Sequence, residues 1–171
     1  NGTTITISAG ATTGTKTFTI TDDSVYEGDE TAIIAISGVS GASAVESGSQ
    51  SVTVTITENE SAPTITLATS ASSLAENSST TVTLTATTSS TSTLDIVVTL
   101  GVTGTATEGT DYSAIDETIT ITAGDTTGTK TFTMTDDSVY EGDETVIVAI
   151  ASVSNASESG TQSVTTTITE N

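Results

Sequence analysis

Apolar and polar residues alternate along nearly the whole chain. Thr3-Thr4-Ile5-Thr6-Ile7, Lys16-Thr17-Phe18-Thr19-Ile20 and Val52-Thr53-Val54-Thr55-Ile56 each set an apolar side chain at every second position. An extended strand turns that period into one apolar and one polar face. From residue 61 onward the same pattern predicts strands at Thr64–Thr69, Thr80–Thr87, Leu94–Leu100, Glu117–Thr122, Thr129–Thr135, Thr145–Ile150 and Ser163–Thr169. Thr and Val favour strands because β-branched side chains pack well on a pleated surface. Ala32-Ile33-Ile34-Ala35-Ile36 and Val146-Ile147-Val148-Ala149-Ile150 are continuously apolar, which predicts central strands covered on both sides. No segment carries a helical period.

Turn residues punctuate the runs. Ala9-Gly10 and Ala123-Gly124 open tight turns, and Gly101 to Gly109 is expected to be a long loop. The single proline, Pro63, follows Glu58-Asn59-Glu60-Ser61-Ala62 and sits where a strand begins, a place that tolerates the missing N–H. Short strands, regular turns and no helices predict an all-β chain folded as an antiparallel β-sandwich.

The chain also repeats itself. Thr4–Glu30 aligns with Thr118–Glu144, and only Ser8/Thr122, Ala11/Asp125 and Ile20/Met134 differ. Past a two-residue deletion the match resumes at Gln50-Ser51-Val52 and Gln162-Ser163-Val164, and both copies close on Thr-Ile-Thr-Glu-Asn. Residues 1–60 therefore read as the C-terminal half of one repeat and residues 61–171 as a nearly complete second repeat. Nothing in the first copy corresponds to Pro63–Glu117. Either the sequence is an internal piece of something longer, or strands from another copy of the chain complete the half repeat.

Composition narrows the function. The chain carries 22 acidic residues against Lys16 and Lys130, for a net charge of −20. That excludes binding nucleic acid through a basic face and argues against attraction to anionic membranes. An apolar share of 33% in alternating runs is enough to build a core, so the acidity does not signal disorder. The chain has neither Cys nor His, which removes disulfides, thiolate metal sites and the usual nucleophile–base pairs. No run of 18 apolar residues is present, so no membrane-inserted helix is expected. A catalytic role is not expected.

Much of the acid is concentrated in one stretch that occurs twice, Thr-Asp-Asp-Ser-Val-Tyr-Glu-Gly-Asp-Glu-Thr, at Thr21–Thr31 and Thr135–Thr145. Five carboxylates without a cation repel one another, and a divalent ion relieves that repulsion. Ca²⁺ takes six to eight oxygens, whereas Mg²⁺ prefers few carboxylates and many waters. Transition metals would want His or Cys. The spacing is that of neither an EF-hand nor a glycine-rich nonapeptide repeat. The competing reading is a solvated acidic turn.

The acidic run, together with Ala75-Glu76-Asn77, Gly104-Thr105-Ala106, Gly109-Thr110-Asp111-Tyr112 and the closing Thr-Ile-Thr-Glu-Asn, resembles the Calx-β domain family over essentially the whole chain. The resemblance implies an immunoglobulin-like β-sandwich that binds Ca²⁺ at one end, beside the next domain. It implies ligands at Glu76, Asp111, Asp136, Asp137, Glu141, Glu144 and Glu170, with the Val139 carbonyl, in the second repeat. For the first repeat it implies Asp22, Asp23, the Val25 carbonyl, Glu27, Glu30, Glu58 and Glu60. The first set is poorer, because it lacks counterparts of Glu76 and Asp111. Asp29 and Asp143 are expected to be solvated or hydrogen-bonded, Tyr26 and Tyr140 to pack a sandwich edge, and Tyr112 to pack internally. The resemblance further implies a calcium-binding spacer in a long extracellular surface protein, such as an adhesin stalk or filament. Its partners would be neighbouring repeats. The alternative is a regulatory calcium-sensing module of a larger membrane-associated protein.

Overall fold

The computed structural model describes residues 4–41 and 43–170. Strands dominate the second repeat. β3 (Thr64–Thr69), β5 (Thr81–Thr88) and β8 (Thr127–Thr133) form one sheet with the two-residue β10 (Ser157–Glu158) at its edge, in the order β10-β3-β5-β8. The facing sheet joins β4 (Ser73–Ala75), β11 (Ser163–Thr169), β9 (Glu144–Ser154), β6 (Ile96–Gly104) and β7 (Thr118–Ile121), in the order β4-β11-β9-β6-β7. Most pairs are antiparallel, as the turn spacing predicts. Two edge pairs, β10–β3 and β11–β4, are parallel, because one N-terminal run crosses from the first sheet to the second at residues 70–72.

The alternation sorts side chains as expected. Val82, Leu84 and Ala86 of β5 point inward, while Thr81 and Thr87 face water. They meet Ile96, Val98 and Leu100 of β6, Ile119 and Ile121 of β7, Phe132 of β8 and Val146 and Val148 of β9 in one core. Tyr112 lies in that core edge-to-face with Phe132, their ring centroids 5.8 Å apart. The continuously apolar run of β9 is buried on one face only; Ile147 and Ala149 on its other face are half-buried. Gly101 to Gly104 belongs to β6 rather than to a loop. Gly104 is needed there: its φ is +130°, and an added Cβ would lie 2.0 Å from the Thr145 carbonyl oxygen.

The first repeat differs sharply. Its strands are β1 (Glu30–Ala35) and β2 (Ser51–Ile56), which form a two-stranded hairpin in the same register as β9–β11. The expected strands at Lys16–Ile20 and Thr4–Ile7 are absent, although their copies form β8 and β7. Residue 3, the first of the expected Thr3–Ile7 strand, lies outside the described residues. The physical reason is missing partners: β8 pairs with β5 and β7 with β6, and the first copy has no equivalent of either. Ala32–Ile36 is correspondingly not a buried central strand: Ile33, Ile34 and Ile36 are exposed.

Candidate metal centre

The acidic loop of the second repeat runs from the end of β8 to the start of β9. Two other elements bring carboxylates to it. The short β4 leads directly into Glu76, which opens a single 3-10 turn and is buried. The turn after β6 carries Asp111, whose Oδ2 accepts the Thr107 backbone N–H. Side-chain oxygens of Glu76, Asp137 and Glu141 converge to within 4.8 Å of one another, and so do those of Asp111, Glu141 and Glu144. Glu141 belongs to both triads. Asp136 is exposed and outside both triads, and the Val139 N–H donates to Asp137 Oδ1 at 2.6 Å.

The cluster is electrostatically strained. Burial, a hydrogen bond to Asp111 and the charges of Asp111, Glu141 and Glu76 push the Glu144 carboxyl up to about 7. Glu141 is raised too, first by desolvation and then by Asp111, Asp137, Glu76 and Glu170. Asp111 Oδ1 is fully buried and receives no hydrogen bond. Its neighbour Glu144 is another acceptor when ionised, so a proton or a cation between the two would satisfy both. An unmatched buried acceptor is costly, and this one identifies the place where a positive charge fits. Every converging atom is a carboxylate oxygen, the donor set of a hard divalent ion.

Glu170 sits differently. Its Oε2 accepts the N–H groups of Glu141 and Gly142 at 2.8 and 2.9 Å, while its own N–H donates to Asp143 Oδ1. It clasps the acidic loop to the end of β11. Glu58 repeats the clasp: its Oε2 accepts from Glu27 and Gly28 at 2.6 Å, its Oε1 from Asn59 and Glu60, and its N–H donates to Asp29. Hydrogen bonds from the backbone of Glu60, Glu27 and Gly28 hold the Glu58 carboxyl down at about 2. Asp29 and Asp143 are thus hydrogen-bonded within the clasps.

In the first repeat Asp22, Asp23, Glu27, Glu30, Glu58 and Glu60 line one shallow cleft with Asn59. Among the described residues they do not converge into a triad like those above. The two buried carboxylates that anchor the second site have no first-repeat counterpart. Glu27 is nevertheless raised, by partial burial and then by Asp23, Glu30 and Glu58. Val25 is half-buried and its N–H is held by Asp23 Oδ1.

A contact that the sequence did not signal joins the two repeats. The Tyr26 carbonyl accepts the Ser92 hydroxyl at 2.9 Å and the Thr93 N–H at 3.2 Å. Tyr26 is half-buried there, whereas its copy Tyr140 is 83% exposed and packs no edge.

Fold and site together define a β-sandwich module with an all-carboxylate cluster at one end. The chain belongs to the Calx-beta domain family, a calcium-binding module type, and matches it over residues 3–60 and again over 58–171. Solved structures similar in fold include CBD12 from CALX1.2, at 16% identity and a TM-score of 0.55. That match covers 63% of this chain and 44% of CBD12, so this chain spans less than half of its length. The apo-form Calx CBD1 domain matches at 18% identity and a TM-score of 0.51, over 63% of this chain and 98% of that one. No curated protein matches the sequence.

Proposed function

We propose that the chain is a stretch of a tandem array of calcium-binding spacers in an extracellular or cell-surface protein, an adhesin stalk or filament, in which Ca²⁺ stiffens the joints between repeats. The observation that carries this reading is the position of the first acidic loop: the Tyr26 segment that contacts Ser92 lies inside it. Neutralising that loop would remove repulsion where two repeats meet. In the second repeat Glu76, Asp111, Asp137, Glu141 and Glu144 would hold the ion, which supplies charge neutralisation. The near-identity of the two copies suits uniform spacers better than individually tuned sensors. We assign no catalytic role.

The partners in this reading are neighbouring repeats. Residues 4–60 add a requirement, because Ile5, Ile7, Phe18 and Ile20 are 55, 59, 58 and 48% exposed. Their second-repeat equivalents Ile119, Ile121, Phe132 and Met134 are at most 3% exposed beneath strands from residues 63–117. Each chain holds two such faces and one such covering segment. A segment with the chemistry of residues 63–117, from another copy of the chain by strand complementation or from a neighbouring repeat, would cover residues 4–60.

Calorimetric titration of Ca²⁺ into chelator-stripped protein tests the reading. Spacers predict dissociation constants of about 10⁻⁴ to 10⁻³ M and a raised melting temperature. Affinity at or below about 10⁻⁶ M would favour the sensing alternative, and an absence of heat would remove calcium from the account.

A further inference from the structure

The joint between the repeats is built from a loop that the chain contains twice. Thr21–Thr31 and Thr135–Thr145 are identical in sequence. The first copy is engaged: Tyr26 O takes hydrogen bonds from Ser92 Oγ and Thr93 N, and Gly28 lies so near Leu94 that an added Cβ would be 3.4 Å from its Cδ1. Ser92 is only 3% exposed at this contact. Among the described residues, Val139 and Tyr140 of the second copy meet no other repeat and are 58% and 83% exposed, while Val25 and Tyr26 are half-buried.

The receiving loop and the acidic loop lie at opposite ends of the sandwich. β5 begins at Thr81, paired with Thr133 just before the acidic loop, and ends at Thr88, next to the 89–95 loop. Seven steps of strand separate the ends by roughly 23 Å. A contact between unlike ends of like units can be repeated from one unit to the next, and gives an open row where the rotation between units does not close a ring. We propose that Val139–Gly142 is a docking surface for the Ser92–Leu94 loop of a further repeat of this same sequence, so that each acidic end seats on the hydroxyl-bearing end of its successor. The contact is made by backbone and hydroxyl groups and does not itself depend on the calcium reading.

A chain extended by a second copy of residues 60–171 after Asn171 tests this, because it reproduces the Glu-Asn-Glu-Ser-Ala-Pro linker. The reference is residues 61–171 alone, which fold on their own because the buried core lies entirely within residues 65–168. Hydrogen exchange at the Thr93 amide is the readout. In the extended chain both Thr93 amides should exchange about tenfold more slowly than in the reference, as a formed hydrogen bond requires. Ser92→Ala in the appended copy should speed exchange at that copy only. Protection confined to the original Thr93, or at neither, overturns the proposal. Repeating the experiment in Ca²⁺ and in chelator separates the two ideas. Equal protection in both conditions defeats calcium stiffening and leaves the docking intact, whereas unequal protection of the two joints in one condition defeats the docking.

Discussion

At the scale of single residues, two carboxylates decide how the second repeat responds to its surroundings. Asp111 Oδ1 is buried without a donor, and Glu144 beside it is pushed up to about 7. In chelator, folded Glu144 keeps a proton that the unfolded chain releases near its ordinary value. Stability from this group is therefore present below about pH 4.5 and lost as pH rises through 7. Glu58, held at about 2, works in the opposite sense, and its stabilisation disappears as pH falls from about 4.5 toward 2. Melting curves in chelator should show the upper-side loss between pH 5 and 8, and saturating Ca²⁺ should abolish it. Asp111→Asn supplies a donor in place of the orphan acceptor. It should leave the melting temperature in chelator unchanged or higher, and remove roughly half or more of the calcium-induced rise. Gly104→Ala tests sterics instead: with φ at +130° and the Thr145 carbonyl 2.0 Å from the new Cβ, chemical denaturation should show a loss of about 2–4 kcal/mol.

At the scale of elements, the two repeats separate what a sequence specifies locally from what it needs a partner to express. The β1–β2 hairpin has the register of β9–β11, and its Glu58 clasp mirrors that of Glu170. All of that is encoded within about 30 residues. Lys16–Ile20 alternates as cleanly as Lys130–Met134, yet only the second becomes strand, because alternation specifies a face and not the neighbour that covers it. β4 and β10, of three and two residues, were illegible because runs so short carry no period. The acidity of the loop pointed to a cation cluster. The family resemblance named Glu76 and Asp111, but their burial could not be read from the chain, since neither residue is near the loop in sequence. One residue type measures the difference between the copies. Phe132→Ala, in the core, should cost about 3–5 kcal/mol in a denaturant titration. Phe18→Ala, at 58% exposure, should cost less than about 0.5 kcal/mol.

At the scale of the whole molecule, scarcity of positive charge combines with the position of the little there is. The second repeat has one lysine, Lys130, in the middle of β8, ladder-paired with Leu84 and ion-paired with Asp116. Lys16 occupies the same place in the repeat but lies in an exposed stretch without strand partners. A protease that cuts after basic residues must draw an extended segment into its cleft, so it should cleave native chain after Lys16 long before it touches Lys130, as a timed trypsin digest read by mass spectrometry would show. In an array of complete repeats every cleavable bond would be woven into a sheet. Such a stalk would outlast trypsin-like enzymes in its surroundings for a reason unrelated to its melting temperature: almost nothing in it can be cut, and what can be cut is out of reach.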